Sequence, residues 1–219
     1  MHFKDKRILS IRTTEDMLRI IEEKGNSIKE YTKGTKVSVY DKMQYGYSYV
    51  LTESPGKNMA FEPDLTPAKM LEMGVFEGKY LNDCILEFPK EWFLKAIQKG
   101  TLSPEGANPD INYFKIKSRL NLDKWKDYGW VPNKEGHLAK QYPLLSDSNA
   151  NPDIRGWFQW YCRYWMGRRE PEIDDVQIKR WRAFVRHAGQ IRANCRPGDV
   201  MCRPRQRQAL VQFAYNGNI

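Results

Sequence analysis

The segment from Ile154 to Met166 constrains this chain most, because six of its thirteen residues are Trp, Tyr or Phe. At about 100° per residue on a helix, Trp160, Tyr164, Trp157, Tyr161, Ile154, Trp165 and Phe158 occupy nearly half the wheel. A face that wide and that aromatic must be covered by other elements, so a helix here is predicted to lie against the core. Arg155, Gln159 and Arg163 recur at i, i+4 and i+8 on the opposite side. Two readings of the wheel follow. In one, the rings are core and the arginine stripe is a solvated face. In the other, Trp157 or Trp160 at the edge of the arc stacks on a base while Arg155 and Arg163 hold phosphates.

A second feature breaks a local rule. Pro204 suits the first position of a helix predicted to run to Tyr215, yet Arg203, Arg205 and Arg207 crowd its start. Each cation there costs roughly 0.3–1 kcal/mol against the helix dipole unless an anion offsets it. The unpaired N–H groups of that end would greet the same anion. Arg196 and the Pro197-Gly198 turn lie just upstream, and guanidinium forks grip phosphate or carboxylate oxygens in pairs. The alternative is internal neutralisation by Asp199, Glu170 or Asp153.

Charge points the same way. Residues 151–219 carry thirteen Lys and Arg against six Asp and Glu, whereas residues 1–150 carry twenty-three against twenty-one. The net charge of +9 therefore belongs mainly to the C-terminal third and favours a nucleic acid or a phosphorylated ligand as partner. Aromatic content of 13% excludes a disordered chain. No apolar run is long enough to span a bilayer, and Ile8, Leu9 and Ile11 sit among charges rather than in a signal sequence. With His2 where myristoylation needs glycine, a cytoplasmic, reducing location is expected, and Cys84, Cys162, Cys195 and Cys202 are expected as thiols.

Local signals lay out the rest. Thr13 and Asp16 open a helix over 13–24, closed by Gly25. Val37 and Val39, then Tyr45, Tyr47, Tyr49 and Leu51, alternate as two strands of a hairpin. Thr66-Pro67 starts a helix that Gly74 ends. Further helices are predicted over 88–97, 122–128 and 174–193. The fold class is α+β, mostly helical: a small N-terminal β element with short helices packed on a C-terminal three-helix unit. Residues 1–131 read as a mixed lobe, 132–153 as a polar connector and 154–219 as a basic, aromatic-rich helical lobe, or the whole as one domain.

Catalytic motifs are sparse. Gly74 to Tyr80 is one residue short of a phosphate loop, and Tyr80 stands where Ser or Thr would hold magnesium. Lys79 and Asp83 lie close enough in sequence to act as acid, base or nucleophile if buried together, against the commoner outcome of a surface ion pair. Cys195, Cys202 and His187 match no zinc spacing, and His187 at the border of an apolar arc reads as structural. No metal or cofactor is expected.

Two stretches carry a resemblance: Leu65-Thr66-Pro67 through Gly78-Lys79-Tyr80 and Asp83-Cys84, and Arg155-Gly156-Trp157-Phe158-Gln159-Trp160 through Gly167-Arg168-Arg169, Arg180-Trp181 and Cys202-Arg203-Pro204-Arg205. Over roughly 45–219 the chain resembles a family of uncharacterised bacterial, bacteriophage and plant proteins. The resemblance implies a soluble intracellular protein and no particular activity. From the residues, the preferred function is nucleic-acid binding through the C-terminal helices, with processing of a base or nucleotide as an extension. Arg155, Arg163, Arg196, Arg203, Arg205 and Arg207 would meet phosphates, and Lys79 and Asp83 are the catalytic candidates. The alternatives are a small-molecule enzyme that clamps one phosphate or carboxylate, and an assembly protein that meets acidic protein surfaces.

Overall fold

The computed structural model describes residues 4–219, so His2 lies outside the described residues. Helix α1 (Thr14–Lys24) starts where the sequence says it should. The Thr13 hydroxyl accepts from the Asp16 N–H, and the Asp16 carboxylate accepts from the Thr13 N–H, so two orphan donors are satisfied reciprocally. Met17, Ile20 and Ile21 form its buried face. Strands β1 (Lys36–Tyr40) and β2 (Tyr45–Val50) pair antiparallel with Val37 opposite Tyr49, and turn Val37, Val39 and Tyr49 inward. The Asp41 carboxylate ties the connecting turn by accepting from the N–H groups of Met43 and Gln44, both at 2.7 Å.

Thr66 caps α2 (Pro67–Glu72), which packs against α3 (Lys90–Gln98). Between them the chain makes a buried coil in which Gly74, Phe76, Glu77, Gly78 and Leu81 all have positive φ. Three of these are not glycine, a conformation that costs energy and persists only where the surroundings over-determine it. Glu77 shows how: its carboxylate accepts from the N–H groups of Ser118 and Arg119, both at 2.9 Å, and its own N–H donates to Asn112. Helices α4 (Leu122–Tyr128) and α5 (Pro143–Ser146) follow.

Helix α6 (Trp157–Met166) is buried at every residue but Trp165. Its rings are core, stacked with Phe61, Phe76 and Phe213. Its opposite side is buried too, which corrects the expectation of a solvated or phosphate-binding stripe. Arg163 and Gln159 are both 0% exposed. One remote and one nearby carboxylate meet the arginines: Arg163 bonds Glu87 at 2.6 Å and Asp153 at 3.1 Å, and Asp153 also holds Arg168 at 2.6 Å. Trp160, likewise 0% exposed, donates its indole N–H to Asp174 at 2.8 Å. Neither Arg163 nor Trp160 can reach a phosphate or base outside the protein. At the far end of α6, Gly167 (φ +110°) lies so close to the chain that a Cβ would sit 2.0 Å from the Glu53 carbonyl oxygen. Its own carbonyl accepts from Thr52 and Glu53, tying the end of β2 to α6.

The long helix predicted over 174–193 is two helices, α7 (Pro171–Phe184) and α8 (Arg186–Asn194). A tightened turn at Val185, whose N–H bonds the Arg182 carbonyl, separates them. Helix α9 (Pro204–Gln212) packs on α8. Cys195 and Cys202 are joined by a disulfide rather than being the expected thiols. The Pro197-Gly198 turn brings their Cα atoms to 5.8 Å, within bonding reach. Cys84 and Cys162 are buried thiols. One cluster of buried apolar side chains runs from Ile8 to Ala214, and the fold is α+β and mostly helical. No helix among the described residues is long and apolar enough to cross a membrane.

Candidate ligand-binding pocket

The start of α6, α7 to α9, the strained coil at 74–80 and the segment 117–130 enclose a pocket of about 630 Å³. Gly156 (φ +85°) allows the Trp130 carbonyl to close on the start of α6, where a Cβ would come within 2.4 Å of that oxygen. Two aromatic walls result. Phe76 stacks on Tyr80 at 4.7 Å and on Phe158 at 5.7 Å, with Trp125 edge-on to Phe76 at 5.6 Å. In the second, Phe213 lies between Phe184 at 4.0 Å and Trp157 at 4.7 Å.

The lining also includes six Lys or Arg side chains, His187, Ser118, Leu120, Ala209 and Gln212, and no carboxylate among the described residues. Two cations differ in what surrounds them. Arg155 spends one nitrogen on Asp41 at 2.9 Å and Asp83 at 2.8 Å, and its buried Nε has no partner among the described residues. Burial opposes its charge, but Cys84, Asp83 and Asp41 beside it hold its pKa above the ordinary value. Arg180 has no carboxylate. One of its nitrogens donates to the Gln177 side chain at 2.8 Å, and its guanidinium lies 5.5 Å from the Tyr142 ring centre. Desolvation accordingly pushes Arg180 down. Burial, followed by the neighbouring Arg186, does the same to His187, so the imidazole is biased to neutral. The buried Arg119 Nε and Trp125 Nε1 are further donors without an acceptor among the described residues.

The residues singled out from the sequence divide. Arg155, Trp157 and Arg205 line the pocket. Arg196 and Arg203 are exposed outside it, and Arg203, itself at positive φ, bonds only the Gln206 side chain. Arg207 is 0% exposed and clamps main-chain oxygens of Cys202, Asp199, Gly217 and Ile219, so it holds the disulfide loop to the C-terminal segment rather than an outside anion. Neither Asp199, Glu170 nor Asp153 neutralises these arginines through its carboxylate; Asp153 is committed to Arg163 and Arg168. Lys79 and Asp83 are not bonded to each other: Lys79 donates to the Pro104 carbonyl, and Asp83 accepts from Arg155 and the Lys42 N–H.

Asp41, Cys84 and Glu87 gather potential ligand atoms within 4.8 Å of one another. Their atoms are already engaged: Arg155 on Asp41, Arg163 on Glu87, and the Cys84 thiol on Asp41. Burial also pushes the Cys84 thiol up, against the thiolate a metal needs. The cluster belongs to the ion-pair core.

Arg180, Arg119, Arg186, His187 and Phe213 were not singled out as site residues. Arg180 carries a local trace: Gln177, one turn before it, belongs to the buried face of α7. No family model matches the chain, and no curated protein or solved structure is similar to it.

Proposed function

We propose that this pocket binds a nucleotide, free or as one unit of a strand. The observation that carries the reading is the lining: eight aromatic side chains with six Lys or Arg, His187 and no carboxylate. The volume falls in the range of small-ligand sites. Aromatic side chains in the lining suit a flat base, which every nucleobase offers irrespective of sequence. Arg180, half-buried without a counter-charge, suits a phosphate, since a guanidinium fork bonds two phosphate oxygens at once. The nucleotide neutralises the cation while its base fills the space between the walls.

Calorimetric titration with a nucleoside monophosphate, the matching nucleoside and inorganic phosphate tests this. The monophosphate should bind more tightly than either fragment, and Arg180→Gln should weaken it by about 10- to 100-fold, the worth of a charge-assisted hydrogen bond. Nucleoside affinity should stay where it was. Equal loss for both ligands, or no binding of the monophosphate, would refute the reading.

A further inference from the structure

Aromatic side chains do not stop at the mouth of the pocket. Trp125, edge-on to Phe76 inside, is also edge-on to Trp130 at 6.2 Å, and Tyr128 stacks on Trp130 at 5.0 Å and 24°. These outer rings face water, Trp130 being 42% and Tyr128 43% exposed. Leu120 and Leu122 are exposed in the same short segment, and Leu120 and Trp130 belong to the pocket lining as well. Large apolar groups gathered at one rim, rather than scattered singly, mark a binding surface. The charge around them is basic: Lys115, Lys117, Arg119, Lys124 and Lys126 against Asp123 and Asp127. Only Lys124 is engaged by a carboxylate, at 3.5 Å to Asp127; Lys115, Lys117 and Lys126 have no ion pair among the described residues.

Contiguous rings leading out of a pocket lined by no carboxylate among the described residues, in a lysine-rich segment, are what an unpaired polynucleotide requires: ring faces for successive bases and cations for the backbone. Resting on the nucleotide reading of the pocket, we propose that the ligand is single-stranded nucleic acid, with one nucleotide inserted in the pocket and the next base stacked on the Trp130 and Tyr128 rings. A duplex does not fit this arrangement, since its bases are already stacked on one another. An acidic protein surface would satisfy the lysines but leave the ring ladder without a function.

The test compares thymidine monophosphate, the single strand dT4 and a hairpin duplex long enough to stay paired, dosed per phosphate, by competition at one fixed salt concentration. The proposal expects dT4 to bind at least tenfold more tightly than the monophosphate and than the duplex, since each stacked base adds that order of affinity. Tyr128→Ala should pull the ratio of dT4 to monophosphate affinity toward one, and Tyr128→Phe, which keeps the ring, should restore it. Equal affinity for dT4 and the monophosphate overturns the strand proposal and leaves the pocket reading standing. A duplex that binds as well as dT4 overturns it too, because phosphate charge alone then explains the affinity. If no nucleotide binds in any form, the pocket reading fails and this proposal with it.

Discussion

Replacing Asp153 by Asn should cost this protein more than almost any other single change that preserves side-chain volume. Asp153 is 0% exposed and accepts from Arg163 at 3.1 Å and from two nitrogens of Arg168 at 2.9 and 2.6 Å. With Glu87 it balances two buried guanidinium groups by two carboxylates. In Asp153→Asn, Arg163 keeps Glu87, but Arg168 is left with the Tyr47 hydroxyl at 3.3 Å and the Tyr49 ring at 5.8 Å. One buried positive charge then has no counter-charge, a change worth about 3–5 kcal/mol. At about 2.1 cal/mol/K per residue, 219 residues give a transition entropy of about 0.46 kcal/mol/K, so Tm should fall by about 7–11 °C. Scanning calorimetry at neutral pH measures this directly. Two companions sharpen it. Asp175→Asn breaks the exposed pair with Lys179 and should move Tm by about 1 °C or less. Adding Arg168→Met to Asp153→Asn removes the orphaned charge and should recover most of the loss. A fall of less than about 2 °C for Asp153→Asn alone would refute the claim that buried ion pairs organise the interior.

Arg180 should behave in the opposite way: Arg180→Met removes a cation that no carboxylate offsets, so Tm of the unliganded protein should hold or rise, and a loss above about 3 °C would make the residue structural. At acid pH, the Arg7 side chain bonded to Asp5 outweighs desolvation and holds that carboxyl below its ordinary value of 3.8. A depressed carboxyl contributes stability that is present above its unfolded pKa and lost as pH falls through the folded one. Asp5→Asn should therefore lower stability at neutral pH and flatten its decline below about pH 4 in urea titrations, whereas parallel curves would refute the coupling. The Cys195–Cys202 bond closes a loop of eight residues, so reduction should cost about 2.5 kcal/mol on the chain-entropy relation. Denatured, unreduced protein should show two thiols rather than four.

What could be read from the sequence was local. The Thr13 capping box, the Thr66-Pro67 start, the strand alternation over 37–51 and the helix at Leu122–Tyr128 each rest on residues within one or two turns of each other, and each stands in the structure. The stripe of α6 departs from the expectation because most of its carboxylate partners are remote: Asp41 and Asp83 lie 114 and 72 residues from Arg155, and Glu87 lies 76 from Arg163, with only Asp153 near in sequence. Nothing in the local pattern separates an arginine facing water from one facing a distant carboxylate. Arg207 at the start of α9 departs from the expectation for a related reason, since its partners are main-chain oxygens that carry no sequence signal. The pocket is assembled from several separate segments, so its aromatic residues are visible singly in the sequence but their gathering is not.

The central claim is that a nucleotide enters the pocket between the aromatic walls, and the seven tryptophans report on it residue by residue. Trp125, Trp130 and Trp157 line the pocket, whereas Trp92 and Trp165 pack against each other away from it. Indole N–H resonances recorded during titration with a nucleoside monophosphate should shift for the first three and stay in place for Trp92 and Trp165. Shifts confined to Trp92 and Trp165, or no shift at saturating ligand, would contradict the account.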